Sequence, residues 1–287
     1  MQHLSRLAAR QNTDGGWGYG TGGSWVEPTV LAILALSAAG EMDSQAIRRG
    51  RKWIAENQRP DGGWPPRASV TESTWVTALV LLLPSDASFQ VDLEAAKRWL
   101  LNRTGRESSW VERWRAFLAT GRMPQKAPTG WPWFSDTATW VIPTCFSLLA
   151  LQRAYRRSAG SAVLERCESA REFLLARQCR DGGWNHGSTK ALGYDSGSYP
   201  ETTGLALLAL HGVDSPRLTA SIQTARRYLQ VTTSLEAESW LRMGLLAHGV
   251  RTPDVLRNEG HGGTEEHAIA ALAEAAAQGR DFFLVPS

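Results

Sequence analysis

The sequence predicts an all-α fold, a single α/α toroid of about six inner and six outer helices spanning residues 1–287. Three observations predict it. One seven-residue sentence recurs along the chain, amphipathic and nearly all-apolar helices alternate around it, and neither end carries the polar-faced capping repeat that an open solenoid needs.

The sentence reads Gln11-Asn12-Thr13-Asp14-Gly15-Gly16-Trp17, then Gln58-Arg59-Pro60-Asp61-Gly62-Gly63-Trp64, then Gln178-Cys179-Arg180-Asp181-Gly182-Gly183-Trp184. Amphipathic stretches precede the second and third copies, Ala46 to Asn57 and Val163 to Arg177, and the paired glycines end them. A more apolar helix follows each copy: Val30 to Ala39, Trp75 to Leu83 and Gly204 to Leu210. An amphipathic helix covers a core, whereas a helix apolar on every side is itself buried, so the first kind lies outside and the second inside. Degenerate copies run from Ala95 to Trp110 and from Thr224, with a weak sixth near Asp254 to Gly263. Aligned by first turn, the inner helices open with Glu27, Glu72, Ile142, Glu201, Glu238 and Glu266.

Composition narrows the function. Hydrophobic residues at 43% and charged residues at 21% describe a globular chain with a core. The formal charge of +3 is too small and too scattered to argue for nucleic acid. Cys145, Cys167 and Cys179 form neither a disulfide framework nor a zinc ribbon, and the first ten residues lack a signal-peptide core, so a cytoplasmic protein is expected. Phe282-Phe283-Leu284-Val285 is read as a small greasy anchor for peripheral membrane contact.

Arg49-Gly50-x-x-Trp53-Ile54-x-x-x-Gln58-x-x-x-Gly62-x-Trp64 resembles the QW motif of squalene-hopene and oxidosqualene cyclases. The resemblance implies a cavity that holds an isoprenoid chain, and QW residues that mostly tie one helix pair to the next. The proton-donating Asp-x-Asp-Asp-Thr-Ala motif of that family survives only as Asp136-Thr137-Ala138, with Ser135 at the presumed acid position. The related prenyltransferase β subunits bind zinc through an Asp-x-Cys pair. Here Pro143 precedes Cys145, and His267 belongs to a distant inner helix, so no catalytic metal and no cofactor is expected.

The candidate acids are therefore Glu27, Glu72, Glu201 and Asp136. First-turn carboxylates complement the helix dipole for about 0.3–1 kcal/mol, which is their plain structural reading. Several gathered at one rim of an apolar cup would raise one another's pKa and keep a proton donor near neutral pH. Trp25, Trp75, Trp131, Trp133, Phe134, Trp140, Tyr199 and Trp240, with Glu238 and His267, are the candidate lining for a substrate. Aromatic faces stabilise positive charge by about 0.5–2 kcal/mol each. Two long connections, 121–139 and 186–200, carry Arg122, Lys126 and Lys190 as candidates to clamp a polar head. The leading expectation is acid-initiated cyclisation of a small hydrophobic, isoprenoid-like substrate. The alternatives are a non-catalytic toroid that binds a lipid or a partner protein, the fold reused for other acid-base chemistry, or a prenyltransferase-like subunit.

Overall fold

The computed structural model describes residues 2–42, 44–86, 89–106, 114, 118, 128–157, 160–187, 190–191, 194–253, 256–257, 262–280 and 282–284. Among the described residues six inner helices appear where the apolar runs predict them: α2 (Val26–Ala38), α4 (Val76–Leu81), α6 (Val141–Arg157), α8 (Pro200–Ala209), α10 (Leu235–Ala247) and α11 (Thr264–Ala277). Each packs against the next, and α11 packs against α2, so the ring closes. Five outer helices stand among the described residues: α1 (Gln2–Ala9), α3 (Gln45–Glu56), α5 (Leu93–Leu101), α7 (Ser161–Ala176) and α9 (Arg217–Val231). The N-terminal α1 packs on α11 and α2 and so covers the seam where the ring closes. Between the last two inner helices, Leu256 packs on Leu235 and Ala270.

The repeated sentence is a joint in which each residue type has one task. The indole Nε1 of Trp17, Trp64 and Trp184 donates to the carbonyl of Leu7, Ile54 and Leu174 in the preceding outer helix, at 2.7–2.8 Å. Their backbone N–H groups donate to Thr29, Thr77 and Thr203 on the following inner helix. Gln58 Nε2 donates to Gly62 O and to Asp92 O, both at 3.0 Å, and so grips the start of the next outer helix. Asp61 accepts from Gly63 N and Ser73 Oγ and reaches the Trp99 indole at 3.1 Å. Gly62 holds φ +89°, and a Cβ there would lie 2.7 Å from Ala95, so a side chain is excluded both by conformation and by space.

The degenerate third copy is corrected by the structure. Trp110 lies outside the described residues, and the indole that completes this joint is Trp131, which donates from Nε1 to Leu100 O and from its backbone to Thr144 Oγ1. Where Thr104 stands in place of the glutamine, Arg166 of α7 takes over the carbonyls, donating to Arg103, Thr129 and Gly130 with its guanidinium stacked 3.4 Å from the Trp131 ring centroid. Trp131 is 1% exposed and serves the frame. The inserted segment folds back as a hairpin of β1 (Trp131–Pro132) and β2 (Thr139–Trp140). A second hairpin, β3 (Lys190–Ala191) with β4 (Tyr194–Asp195), lies in the other long connection.

The Phe282–Val285 reading is also corrected in part. Phe283 is 2% exposed and packs on Phe146 and Trp240, with ring centroids 6.5 and 5.7 Å away, while Phe282 and Leu284 rest on the core. Arg153 donates to Phe282 O at 2.8 Å, and Arg280 donates to Ala38 O at the C-terminal end of α2. These residues face inward, which is where apolar rings gain most from leaving water. Val285 lies outside the described residues. No helix among the described residues is long and apolar enough to cross a membrane.

Candidate active site

Since the inner helices run in one direction, their first turns surround one mouth of the ring. A cavity of about 220 Å³ opens there, lined by Tyr19, Glu27, Glu201, Glu236 and Glu265 together with Trp133, Ile142, Phe146, Thr202, Leu205 and Trp240. Each of the four glutamates is the second residue of its helix, α2, α8, α10 and α11 respectively. Ile142 holds the same position in α6. Phe283 packs on two of the wall residues, Phe146 and Trp240, from the end where the inner helices finish.

The mouth is thus acidic and the walls are apolar. Burial pushes the Glu27 carboxyl up to about 7, against the pull of the Tyr19 hydroxyl that donates to it and with the further push of Glu236. Burial, followed by repulsion from Glu27, Glu236 and Glu266, raises Glu265 to about 9. Burial and then Glu201 and Glu266 raise Glu236 as well. A carboxyl of this kind keeps its proton at neutral pH, the state a general acid needs. Next to these acids stand Trp133 and Trp240, backed by Trp75, which meets Trp133 edge-on at 4.9 Å and Phe146 at 5.6 Å.

The residues singled out from sequence fall into separate places. Glu27, Glu201, Trp133 and Trp240 line the cavity, and Trp75 supports its wall. Glu72 is exposed on the loop before α4 and accepts from Ser135 N at 2.8 Å. Asp136 is exposed at the hairpin tip with φ +58°, a conformation that a short polar side chain tolerates. Glu238 points away from the cavity into a buried ion pair with Arg242 at 3.5 Å and accepts from Arg257 N. His267 is buried against α1, with its Nδ1 3.1 Å from His3 Nδ1. Trp25 meets Tyr19 edge-on at 5.4 Å and carries Arg67 on its face. Phe134 and Tyr199 are 47% and 44% exposed, and Trp140 and Tyr199 both flank His186 outside the cavity.

Tyr19, Glu236 and Glu265 were not among the sequence candidates. Counting from the helix start finds both glutamates, because the rim position is the second residue and Glu238 and Glu266 come later in their helices. Glu266 turns back instead to accept from Gly263 N. Arg122 and Lys126 lie outside the described residues, as does the side chain of Lys190. No group of three or more potential metal ligands is assembled among the described residues.

Residues 1–73 match the family model of the squalene-hopene cyclase C-terminal domain. The squalene-hopene cyclase of Alicyclobacillus acidocaldarius is 49% identical over 45 residues, which is 16% of this chain and 7% of that enzyme. Drimenyl diphosphate synthase of Streptomyces showdoensis is 26% identical over 228 residues, covering 78% of this chain and 38% of the synthase. The chain therefore aligns with less than half of either relative's length. A type II terpene cyclase from Scytonema superposes with a TM-score of 0.51 at 17% identity, over 96% of this chain and 78% of that one. A family 8 endoglucanase from Klebsiella pneumoniae superposes with a TM-score of 0.65 at 12% identity, over 98% and 99%. At such identities the likeness to both solved structures is one of fold. The sequence matches and the QW joints agree in what the chain is similar to, the QW-repeat α/α toroids of the squalene-hopene cyclase type.

Proposed function

We propose that the chain is a class II terpene-cyclase-like enzyme that starts ring closure in an isoprenoid by protonating a carbon–carbon double bond. One observation carries the reading: half-buried carboxyls with raised pKa, Glu27 and Glu265, sit at the mouth of a cavity walled by Trp133, Phe146 and Trp240. In the step, the carboxyl O–H bond breaks and its hydrogen forms a C–H bond with the alkene. The electron pair stays on the carboxylate, and the positive charge passes to the adjacent carbon. The next double bond attacks that carbon and closes a ring, and a carboxylate at the rim takes up the proton that ends the sequence. Each aromatic face that meets the migrating charge lowers its energy by about 0.5–2 kcal/mol.

The acid in this reading stands on the first turns of the inner helices, which accounts for an enzyme with Ser135 where the family motif has its acid. The drimenyl diphosphate synthase match and the Scytonema cyclase, which has been solved with geranylgeranyl dihydroxybenzoate as substrate, support an isoprenoid as the substrate class. The endoglucanase likeness supplies a competitor, because a ring with carboxyls at its mouth also suits glycoside hydrolysis. The apolar walls favour the isoprenoid. The test is incubation of the purified protein with geranyl, farnesyl and geranylgeranyl alcohols and diphosphates and with squalene, followed by mass spectrometry. Cyclised products that vanish in Glu27→Gln or Glu265→Gln support the reading. Unchanged prenyl compounds alongside cleavage of soluble β-glucan would overturn it.

A further inference from the structure

An acid that starts ring closure and a base that ends it work best apart. Each closure carries the positive charge further along the chain from the donor, and a carboxylate beside the donor would take back the proton just given. Glu265 is beside Glu27, on the neighbouring helix α11, and the charge of Glu27 helps to raise its pKa. Glu236 follows on α10 and takes a hydrogen bond from Trp240. Glu201 is the rim carboxyl that lies across the ring from Glu27: α4 and α6 separate α8 from α2 on one side, and α10 and α11 separate them on the other.

Glu201 has what a base needs in that place. It is half-buried and lines the cavity, so a ligand inside can touch it. Among the described residues no hydrogen bond or ion pair engages its carboxylate, whereas that of Glu27 accepts from Tyr19. It acts on Glu236 as a negative charge. Leu205, one turn further along α8, lines the wall beneath it, so the carboxylate stands where the apolar wall meets the mouth.

We propose that Glu201 is the base that ends the reaction, taking a proton from the carbon next to the last cation so that the product leaves as a cyclic alkene. The inference rests on the isoprenoid reading above and names for it the carboxylate that receives the proton. In the step a C–H bond breaks, its electron pair becomes the second bond of a new C=C and quenches the cation, and the hydrogen forms an O–H bond with Glu201. The product is then an isomer of the substrate. Where no base takes the proton, water captures the cation instead, and the product is a cyclic alcohol heavier by one water.

The test is product analysis by mass spectrometry over the same prenyl alcohols, prenyl diphosphates and squalene, with the wild type, Glu201→Gln and Glu201→Asp. The wild type should give cyclic alkenes of unchanged mass. Glu201→Gln keeps the size of the side chain and removes the base, so it should still consume substrate while the ratio of cyclic alkene to cyclic alcohol falls by about 10²-fold. Glu201→Asp keeps a carboxylate and should restore most of that ratio. The ratio is read within one reaction, so it does not depend on how much of a variant is folded. An unchanged ratio in Glu201→Gln overturns the role of Glu201 and leaves the isoprenoid reading standing, as do wild-type products that already carry an added water. Substrate left wholly unconsumed by a Glu201→Gln protein that melts like the wild type assigns Glu201 to the starting step and overturns its role as the base. Absence of any cyclised product with the folded wild type overturns this inference and the isoprenoid reading together.

Discussion

The Tyr19 hydroxyl donates to the Glu27 carboxylate across the mouth of the cavity. The loop that follows the first Gly-Gly-Trp turn is thereby tied to the second residue of α2, and the phenol is set against the carboxyl best placed to hold a proton near neutral pH. The bond favours the charged form of Glu27, so it opposes the burial that raises the pKa.

An acid that must be protonated to act gives a rate that falls as pH rises through its pKa. Cyclisation should therefore be steady in acid and decline above about 7 if Glu27 is the donor, or above about 9 if Glu265 is. Tyr19→Phe removes the bond that lowers the Glu27 pKa and should move the decline to higher pH. Glu27→Gln should lower kcat by about 10²–10⁴, the usual share of a general acid. A pH–rate profile of the wild type and Tyr19→Phe checks this, and an unmoved decline would remove Glu27 from the role.

The same carboxyls make a statement about stability. A group whose folded pKa is raised contributes stability that is fully present below its unfolded value of about 4.5 and is lost as pH rises through the folded value. Between pH 5 and pH 9 the wild type should lose thermal stability that Glu265→Gln keeps. Melting temperatures of both proteins at the two pH values check it, and parallel losses would count against the crowded, half-buried state of Glu265.

The ring was legible in the sequence because each residue of the repeated sentence has a task that few others can perform. Gln58 reaches two carbonyls, Gly62 takes a positive φ beside Ala95, and the Trp64 indole spans from one helix to the next. The degenerate copy from Ala95 was read as ending at Trp110, whereas the indole at its joint is Trp131, displaced along the chain by an insertion. Its signal was still present in the chain. Trp131 precedes Thr144 by the same interval that separates Trp64 from Thr77, and both pairs carry the same hydrogen bond. The rim was half legible. Aligning glutamates by helix turn found Glu27 and Glu201 but chose Glu238 and Glu266, whose contacts are an arginine pair and a cap. Periodicity does not tell one residue of a first turn from the next, and only the helix start decides which faces the cavity. Phe283 was read outward because an apolar run at a chain end does not reveal which surface it covers.

Phe283 now carries a prediction of its own. It is packed on Phe146 and Trp240, so Phe283→Ala should deepen the cavity from below while leaving the mouth unchanged. Truncating a buried phenylalanine costs about 3–5 kcal/mol, so the melting temperature should fall by several degrees. If the cavity is the substrate site, the variant should accept longer prenyl chains than the wild type. A chain-length series of prenyl alcohols in a binding assay reads this directly, and an unchanged preference would separate the tail from the site.

The seam of the ring supplies the last prediction. Arg6 reaches His267 Nε2 at 3.4 Å, His267 meets His3 at 3.1 Å, and His3 lies 3.8 Å from Glu274. This row joins α1 to α11, where the ring closes. Burial first, and then the charges of His3, Arg10 and Arg6, lower the His267 pKa from 6.5 to about 4, so the folded protein holds its imidazole neutral. For a histidine with a depressed folded pKa the sign is the reverse of that for the rim acids: the unfolded chain takes up the proton first, and stability falls as pH drops from 6.5 towards 4. Protonation would also take away the lone pair that accepts from Arg6 and set two cations side by side. His267→Gln keeps a donor and an acceptor without the titration, so it should lose less stability than the wild type between pH 7 and pH 5. Hydrogen exchange in α1 at the two pH values locates the effect, because opening at the seam exposes α1 before it exposes the inner helices. Uniform exchange throughout the ring on acidification would assign the acid sensitivity to some other part of the fold.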